Sequence, residues 1–277
     1  MVIEQPERRY ITINALRLHY LEWGHVDSPP MILLHGVGDT AHIWDHFAPH
    51  ALSQFRMIAL DQRGHGDSDW AVPPAYRCED YVRDLATFIK DLQLNRVVLL
   101  GHSVGALHAT MYASMRPDRV GALIHVDIEP CPPAWNKEYL NGLHETLPAY
   151  YQSIQEFADQ VQENSPYANK EMLAHIAFYG LNERGDGKFF SKTDREVYNH
   201  FDQYDVLPYL AEISCPTLIV RGEESRVTRR EIAQEMNRAI EGSKLVEIPQ
   251  ATHPVHTDNP HQFHKAVLDF LKNLNLT

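Results

Sequence analysis

Cysteine is scarce: Cys78, Cys131 and Cys215 are the only three in 277 residues. An odd number without metal-ligand spacing gives no disulfide framework and reads as reduced thiols in a cytoplasmic chain. Positive charge is also short. Lys and Arg number 25 against 37 Asp and Glu, a net charge of −12. Such a balance repels phosphate and argues against nucleic acid and anionic membrane surfaces as partners. No apolar run approaches the ~18 residues of a membrane span, and residues 1–9 lack the apolar stretch of a secretion signal. The sequence has no internal repeats, no low-complexity linkers and no signal of oligomeric state. Among 17 histidines, His253/His256 and His261/His264 have helical or turn spacing. None forms an H-E-x-x-H or Cys/His ligand pattern, so no metal is expected and the histidines read as solvated.

What is present is 44% apolar sequence, enough for one α/β domain with an insertion or two small domains. Arg9–Ile13 and Leu16–Trp23 alternate like antiparallel strands about an Asn14–Ala15 turn. Buried strands are predicted at Met31–Leu34, Arg56–Leu60, Val97–Leu100 and Leu123–Val126. Helices are predicted at Ala41–Ala51, Glu79–Leu92 and from Ala106. This alternation predicts a mostly parallel central sheet flanked by helices. The pattern breaks after Pro130. Residues 131–213 read as helical, at Ala134–Thr146, Ala149–Gln162, Lys170–Phe178 and Arg195–Glu212, with a turn or hairpin at Asp186–Gly187. Strand Thr217–Val220, helix Thr228–Ile240, strand Leu245–Ile248 and helix Pro260–Leu271 then restore the alternation. Residues 1–130 and 214–277 are thus expected to form the core domain, with 131–213 an inserted helical cap over the C-terminal edge of its sheet.

One stretch carries the chemistry. Val97–Leu100 runs into Gly101–His102–Ser103–Val104–Gly105, and a helical stretch follows. A chance G-x-S-x-G in a chain this long has odds of roughly one in ten. The flanking strand and helix are what turn it into a sharp elbow with an exposed serine hydroxyl. That hydroxyl needs a base, the base needs an orienting acid, and a tetrahedral oxyanion needs donors.

His35–Gly36, Asp61 to Ser68, Gly101–Gly105 and Ala251–Thr252–His253 together resemble the α/β-hydrolase superfamily along essentially the whole chain. The resemblance implies Ser103 as nucleophile, His253 as general base, and the Val37 and Val104 backbone N–H groups as oxyanion donors. His256 is a weaker candidate for the base. The acid departs from the commonest pattern: where the family usually has Gly-x-x-Asp, this chain reads Gly222–Glu223–Glu224–Ser225. Asp127, closing the strand before Pro130, is therefore the expected acid, as in members whose acid is relocated. Glu223 and Glu224 remain alternatives, with Arg226 competing for their carboxylates. Asp61 and His65 fall in a segment that is usually structural. His35, Trp44, His102, Trp135 and Tyr139 are candidate substrate-binding residues; a structural role stands beside that reading for the His35 ring.

The expected activity is serine-dependent cleavage of a small or medium apolar carboxylic ester, with no cofactor. The alternatives are a C–C bond hydrolase of ring-cleavage products, a cofactor-free oxygenase or perhydrolase, and a non-enzymatic small-molecule receptor. Haloalkane dehalogenases and epoxide hydrolases resemble this scaffold but carry aspartate where Ser103 stands.

Overall fold

Short runs of branched apolar residues can be buried only in a sheet covered on both faces. The computed structural model, which describes residues 5–202, 204–272 and 274, contains such a sheet. Residues 1–4 of the N-terminal stretch lie outside the described residues. Strands β1 (Glu7–Ile13) and β2 (Leu16–Trp23) form a hairpin. Asn14 and Ala15 both have positive φ, 49° and 65°, the requirement of a tight two-residue turn that follows the sheet's twist. After them come β3 (Pro30–Leu34), β4 (Arg56–Leu60), helix α1 (Cys78–Asp91), β5 (Val97–His102), α2 (Val104–Met115) and β6 (Val120–Val126). Beyond residue 213 stand β9 (Thr217–Gly222), α7 (Arg230–Ala239), β10 (Lys244–Ile248), α8 (Val255–Asp258) and α9 (Pro260–Leu271).

The sheet has eight strands in the order β1-β2-β4-β3-β5-β6-β9-β10, all parallel from β4 to β10. Neighbouring side chains along each strand enter opposite cores. Leu34 and Leu99 pack with Val82, Leu85 and Phe88 of α1. Leu33, Val98 and Leu100 pack with Phe47 and with Phe263 of α9.

Between β6 and β9 the chain leaves the sheet. It forms α3 (Ala134–Thr146), α4 (Ile154–Asn164), α5 (Lys170–Gly180), the hairpin β7 (Leu181–Glu183) and β8 (Phe189–Ser191), and the short α6 (Glu196–Asn199). Tyr151, Phe157, Leu173, Ala177 and Leu181 give this insertion a small core of its own. It lies against loops that leave the C-terminal ends of the parallel strands. Asp194 N–H donates to Gly64 O (2.8 Å), Lys192 pairs with Asp67 (2.9 Å), and Thr252 Oγ1 donates to Asn164 O (3.2 Å).

Two expected helices are not continuous. Ala41–Ala51 is a pair of 3-10 turns, Ala41–Trp44 and Ala48–His50. Pro49 lies in the first turn of the second and cannot supply the N–H that a continuous helix requires. Arg195–Glu212 splits into α6 and a 3-10 segment, Leu207–Glu212, with Pro208 likewise in its first turn. The expected Ala149–Gln162 helix begins only at Ile154, where Ser153 caps it by accepting from Glu156 N–H. Nor are the histidines mostly solvated: His19, His35, His42, His65, His102, His108, His125 and His256 are all buried.

Candidate active site

Gly101 and Gly105 bracket the junction between β5 and α2. A Cβ on Gly101 would fall 2.3 Å from Gly105 O, and one on Gly105 would fall 2.5 Å from His35 O. Only glycine permits so close a crossing of strand and helix. Ser103, between them, takes φ 53° and ψ −130°, strained geometry for a residue with a side chain. Its hydroxyl stands at the N-terminus of α2, where unpaired N–H groups make the field positive.

Ser103 Oγ donates to His253 Nε2 at 3.0 Å. The other ring nitrogen, Nδ1, lies 3.3 Å from Asp127 Oδ1, at the long end for a hydrogen bond. Asp127 immediately follows β6, is fully buried and has φ 47°. Its carboxylate is held tightly. Gly222 N–H donates to Oδ2 at 2.6 Å, while Ser225 Oγ (2.6 Å) and Thr228 Oγ1 (2.9 Å) donate to Oδ1. Burying a carboxylate is costly unless donors surround it, and here they come from the loop where the family usually carries its aspartate. Ser225, in place of the usual aspartate, supplies a donor to the aspartate from β6. Sequence reasoning missed Ser225 and Thr228 in this role.

Glu224 accepts from Tyr167 OH at 2.8 Å and, among the described residues, makes no hydrogen bond to the His253 ring, whose partners are Asp127 and Ser103. Among the described residues Arg226 makes no ion pair, so the expected competition for the loop's carboxylates is absent. Glu129, two residues after Asp127, is buried and takes a two-pronged pair from Arg229 (2.7 and 2.8 Å), fixing the start of α7.

The Val37 and Val104 N–H groups have no hydrogen-bond partner among the described residues. Gly36 backs against the serine: a Cβ there would lie 3.1 Å from Ser103 Cβ and 3.2 Å from Asp39 Oδ2. Asp39 Oδ2 lies 3.7 Å from His102 Nδ1.

Of the expected substrate contacts, three lie inside the protein instead. The His35 ring is fully buried; Nδ1–H donates to Gly36 O (2.7 Å) and Nε2 accepts from Gln62 N–H (3.0 Å), which fixes the loop. Trp44 is fully buried, its ring stacked on His256 at 4.7 Å and beside Phe47 and Phe263, so it is core rather than pocket wall. His102 is buried behind His253, their ring centroids 4.7 Å apart, and its Nε2–H donates to His253 O at 3.1 Å. Burial pulls its pKa down, so it is a neutral support for the His253 loop. Trp135 and Tyr139 on α3 are 46% and 51% exposed, outside the insertion's core.

His256 does not compete with His253. It is buried, neither ring nitrogen has a partner among the described residues, and burial drives its pKa well below the usual range. Asp61 accepts from His19 Nδ1 (2.6 Å) and Ala41 N–H (2.6 Å). Burial alone would raise its pKa, but the His19 hydrogen bond and charge outweigh it and bring it to about 2. His65 Nδ1–H donates to Arg63 O (2.9 Å), and Arg63 forks onto Asp84 (2.6 and 2.7 Å). This loop is structural.

Comparison with known proteins identifies the family and the fold. The chain matches the α/β-hydrolase fold family over residues 29–260 and belongs to it. It is 26% identical over 273 residues to 2-(acetamidomethylene)succinate hydrolase of Mesorhizobium japonicum, spanning 95% of this chain and 94% of that one. A crystal structure of E-2-(acetamidomethylene)succinate hydrolase superposes with a TM-score of 0.88 at 24% identity, covering 96% and 99% of the two chains. An esterase of Mycobacterium tuberculosis is 26% identical over 254 residues, 90% of this chain and 84% of that one. Epoxide hydrolase 4 of Mus musculus is 25% identical over 280 residues, 94% and 77%. Among the described residues no helix is long and apolar enough to cross a membrane.

Proposed function

We propose that the protein is a serine hydrolase that cleaves a small or medium apolar carboxylic ester through an acyl-enzyme. The observation that carries this reading is the continuous line from Ser103 Oγ through the His253 ring to the buried Asp127. His253 Nε2 takes the hydroxyl proton as Ser103 attacks the ester carbonyl. Asp127 holds Nδ1–H, and so the tautomer with a free Nε2, and stabilises the imidazolium. The Val37 and Val104 N–H groups receive the oxyanion, a contribution of ~3 kcal/mol for such a donor. His253 then protonates the leaving alcohol, and water, activated by the same imidazole, releases the acid. The reaction calls on no cofactor.

Residues 131–213 act in this reading as a cap, with Trp135 and Tyr139 presenting aromatic surface to the substrate. A panel of 4-nitrophenyl esters of rising chain length, alongside a chromogenic dienoate, tests the reading. Turnover of short or medium esters, lost in Ser103→Ala, supports it. Turnover of the dienoate alone would replace it with C–C bond hydrolysis.

A further inference from the structure

The inserted segment meets the sheet domain at a cluster of donors that sequence spacing conceals. His42 and Asp45 lie at the 3-10 turn Ala41–Trp44, shortly after the Val37 loop; His175 is on α5 of the insertion. One carboxylate oxygen, Asp45 Oδ2, lies 2.8 Å from His42 Nδ1 and 3.0 Å from His175 Nε2. All three ligand atoms fall within 4.8 Å of one another. We propose that His42, Asp45 and His175 form a binding site for a divalent transition metal of the zinc class, which clamps the insertion to the sheet domain.

The donor set suits that class. Two imidazoles and one carboxylate match Zn²⁺, whereas Ca²⁺ and Mg²⁺ need more oxygens. Zinc bonds of ~2.0–2.2 Å place neighbouring ligand atoms roughly 3 Å apart, close to the spacing already built here. Hydrogen bonding accounts for only one side of Asp45. Its second oxygen, Oδ1, is buried and has no partner among the described residues. His46 adds another buried, unpartnered nitrogen, Nε2, on a ring 4.9 Å from that of His175, within reach as a further ligand after a side-chain rotation. Burial opposes a charge on Asp45, yet the hydrogen bonds from His175 and His42 outweigh it and keep the carboxyl below its ordinary range. The rings are held in place: Tyr179, one turn beyond His175, stacks on His42 with centroids 3.6 Å apart. His175 Nε2 also lies 3.2 Å from His42 O. An ion here would therefore join α5 to the segment that follows the Val37 loop.

The test is Zn²⁺ titration by calorimetry on chelator-treated full-length protein, with thermal melts in parallel. Wild type should take up a single saturable equivalent and melt higher with it. His175→Gln, on a partly exposed helix face, and Asp45→Asn should each weaken uptake at least about tenfold and abolish the added melting stability. His25→Gln, an exposed control far in sequence from the cluster, should leave both unchanged. X-ray absorption of the loaded protein should show a nitrogen and oxygen shell without sulfur. No saturable uptake by wild type, or uptake unaltered in a His175→Gln protein that still melts cooperatively, overturns the proposal.

Discussion

Asp127→Asn is the perturbation on which the site geometry makes its sharpest demand. The carboxylate accepts from Gly222 N–H on one oxygen and from Ser225, Thr228 and His253 around the other. An amide has a single acceptor atom. Turning its NH₂ toward Gly222 would oppose two donors at 2.6 Å, so the amide oxygen goes there and the NH₂ faces His253. The Thr228 hydroxyl can rotate to accept, whereas Ser225 Oγ already accepts from the Val227 and Thr228 N–H groups and loses its bond to residue 127; the imidazole must instead move its proton to Nε2. That tautomer cannot take the Ser103 proton. The variant also loses the attraction between carboxylate and imidazolium, ~5 kcal/mol for unit charges at this 3.3 Å separation and an effective dielectric near 20. A loss of that size is on the order of 10⁴-fold in kcat. Stability should fall by only about 2 kcal/mol, since most of the hydrogen bonds are re-formed. Steady-state kinetics on the best 4-nitrophenyl ester, with a thermal melt on the same preparation, separates the two effects. Glu223→Gln and Glu224→Gln, assayed alongside, should each lose less than about tenfold. A folded Asp127→Asn enzyme within about tenfold of wild type, or a glutamate variant falling by 10³ or more, would exclude Asp127 as the acid.

Gly101→Ala would place a methyl 2.3 Å from Gly105 O; because both atoms are constrained by backbone, the elbow must open, and activity and melting temperature should fall together. Trp135→Ala and Tyr139→Ala should change kcat/KM unequally across an ester series, whereas an equal fall for every ester would place these residues outside the substrate's path. Acid should destabilise the fold well above the carboxylate range. Burial lowers His65 and His108 to about 3, so both are neutral when folded, while in the unfolded chain they protonate below ~6.5. The unfolded state then binds more protons, and stability drops as pH falls from ~6.5 toward 3, by up to ~1.4 kcal/mol per pH unit for each histidine. Melting curves from pH 7 to 4.5 check this; a flat melting temperature would contradict it.

The strand positions and the elbow were legible because each rests on a local signal. Branched runs such as Val97–Leu100 have few alternatives to a buried strand, and two glycines around a serine specify a crossing that no other residue permits. The shift from aspartate to Ser225 was legible as a gap; that Ser225 would donate to Asp127 was not, because the partners are 98 residues apart. Trp44, His35 and His102 show the limit more plainly. Their positions in the chain put them beside the serine, but position does not say which way a side chain points. All three turn inward, Trp44 onto His256, His35 onto Gln62 and His102 behind His253. The expected helices Ala41–Ala51 and Arg195–Glu212 failed at Pro49 and Pro208, where the missing N–H outweighs helical composition.

Reaction with a fluorophosphonate, followed by intact mass and peptide mapping, tests directly whether Ser103 is the nucleophile activated by His253. One adduct per chain is expected on the peptide carrying Ser103, none in Ser103→Ala, and labelling slowed by about 10³-fold or more in His253→Gln. An adduct on another residue, or equal labelling of wild type and Ser103→Ala, would exclude Ser103 as the nucleophile.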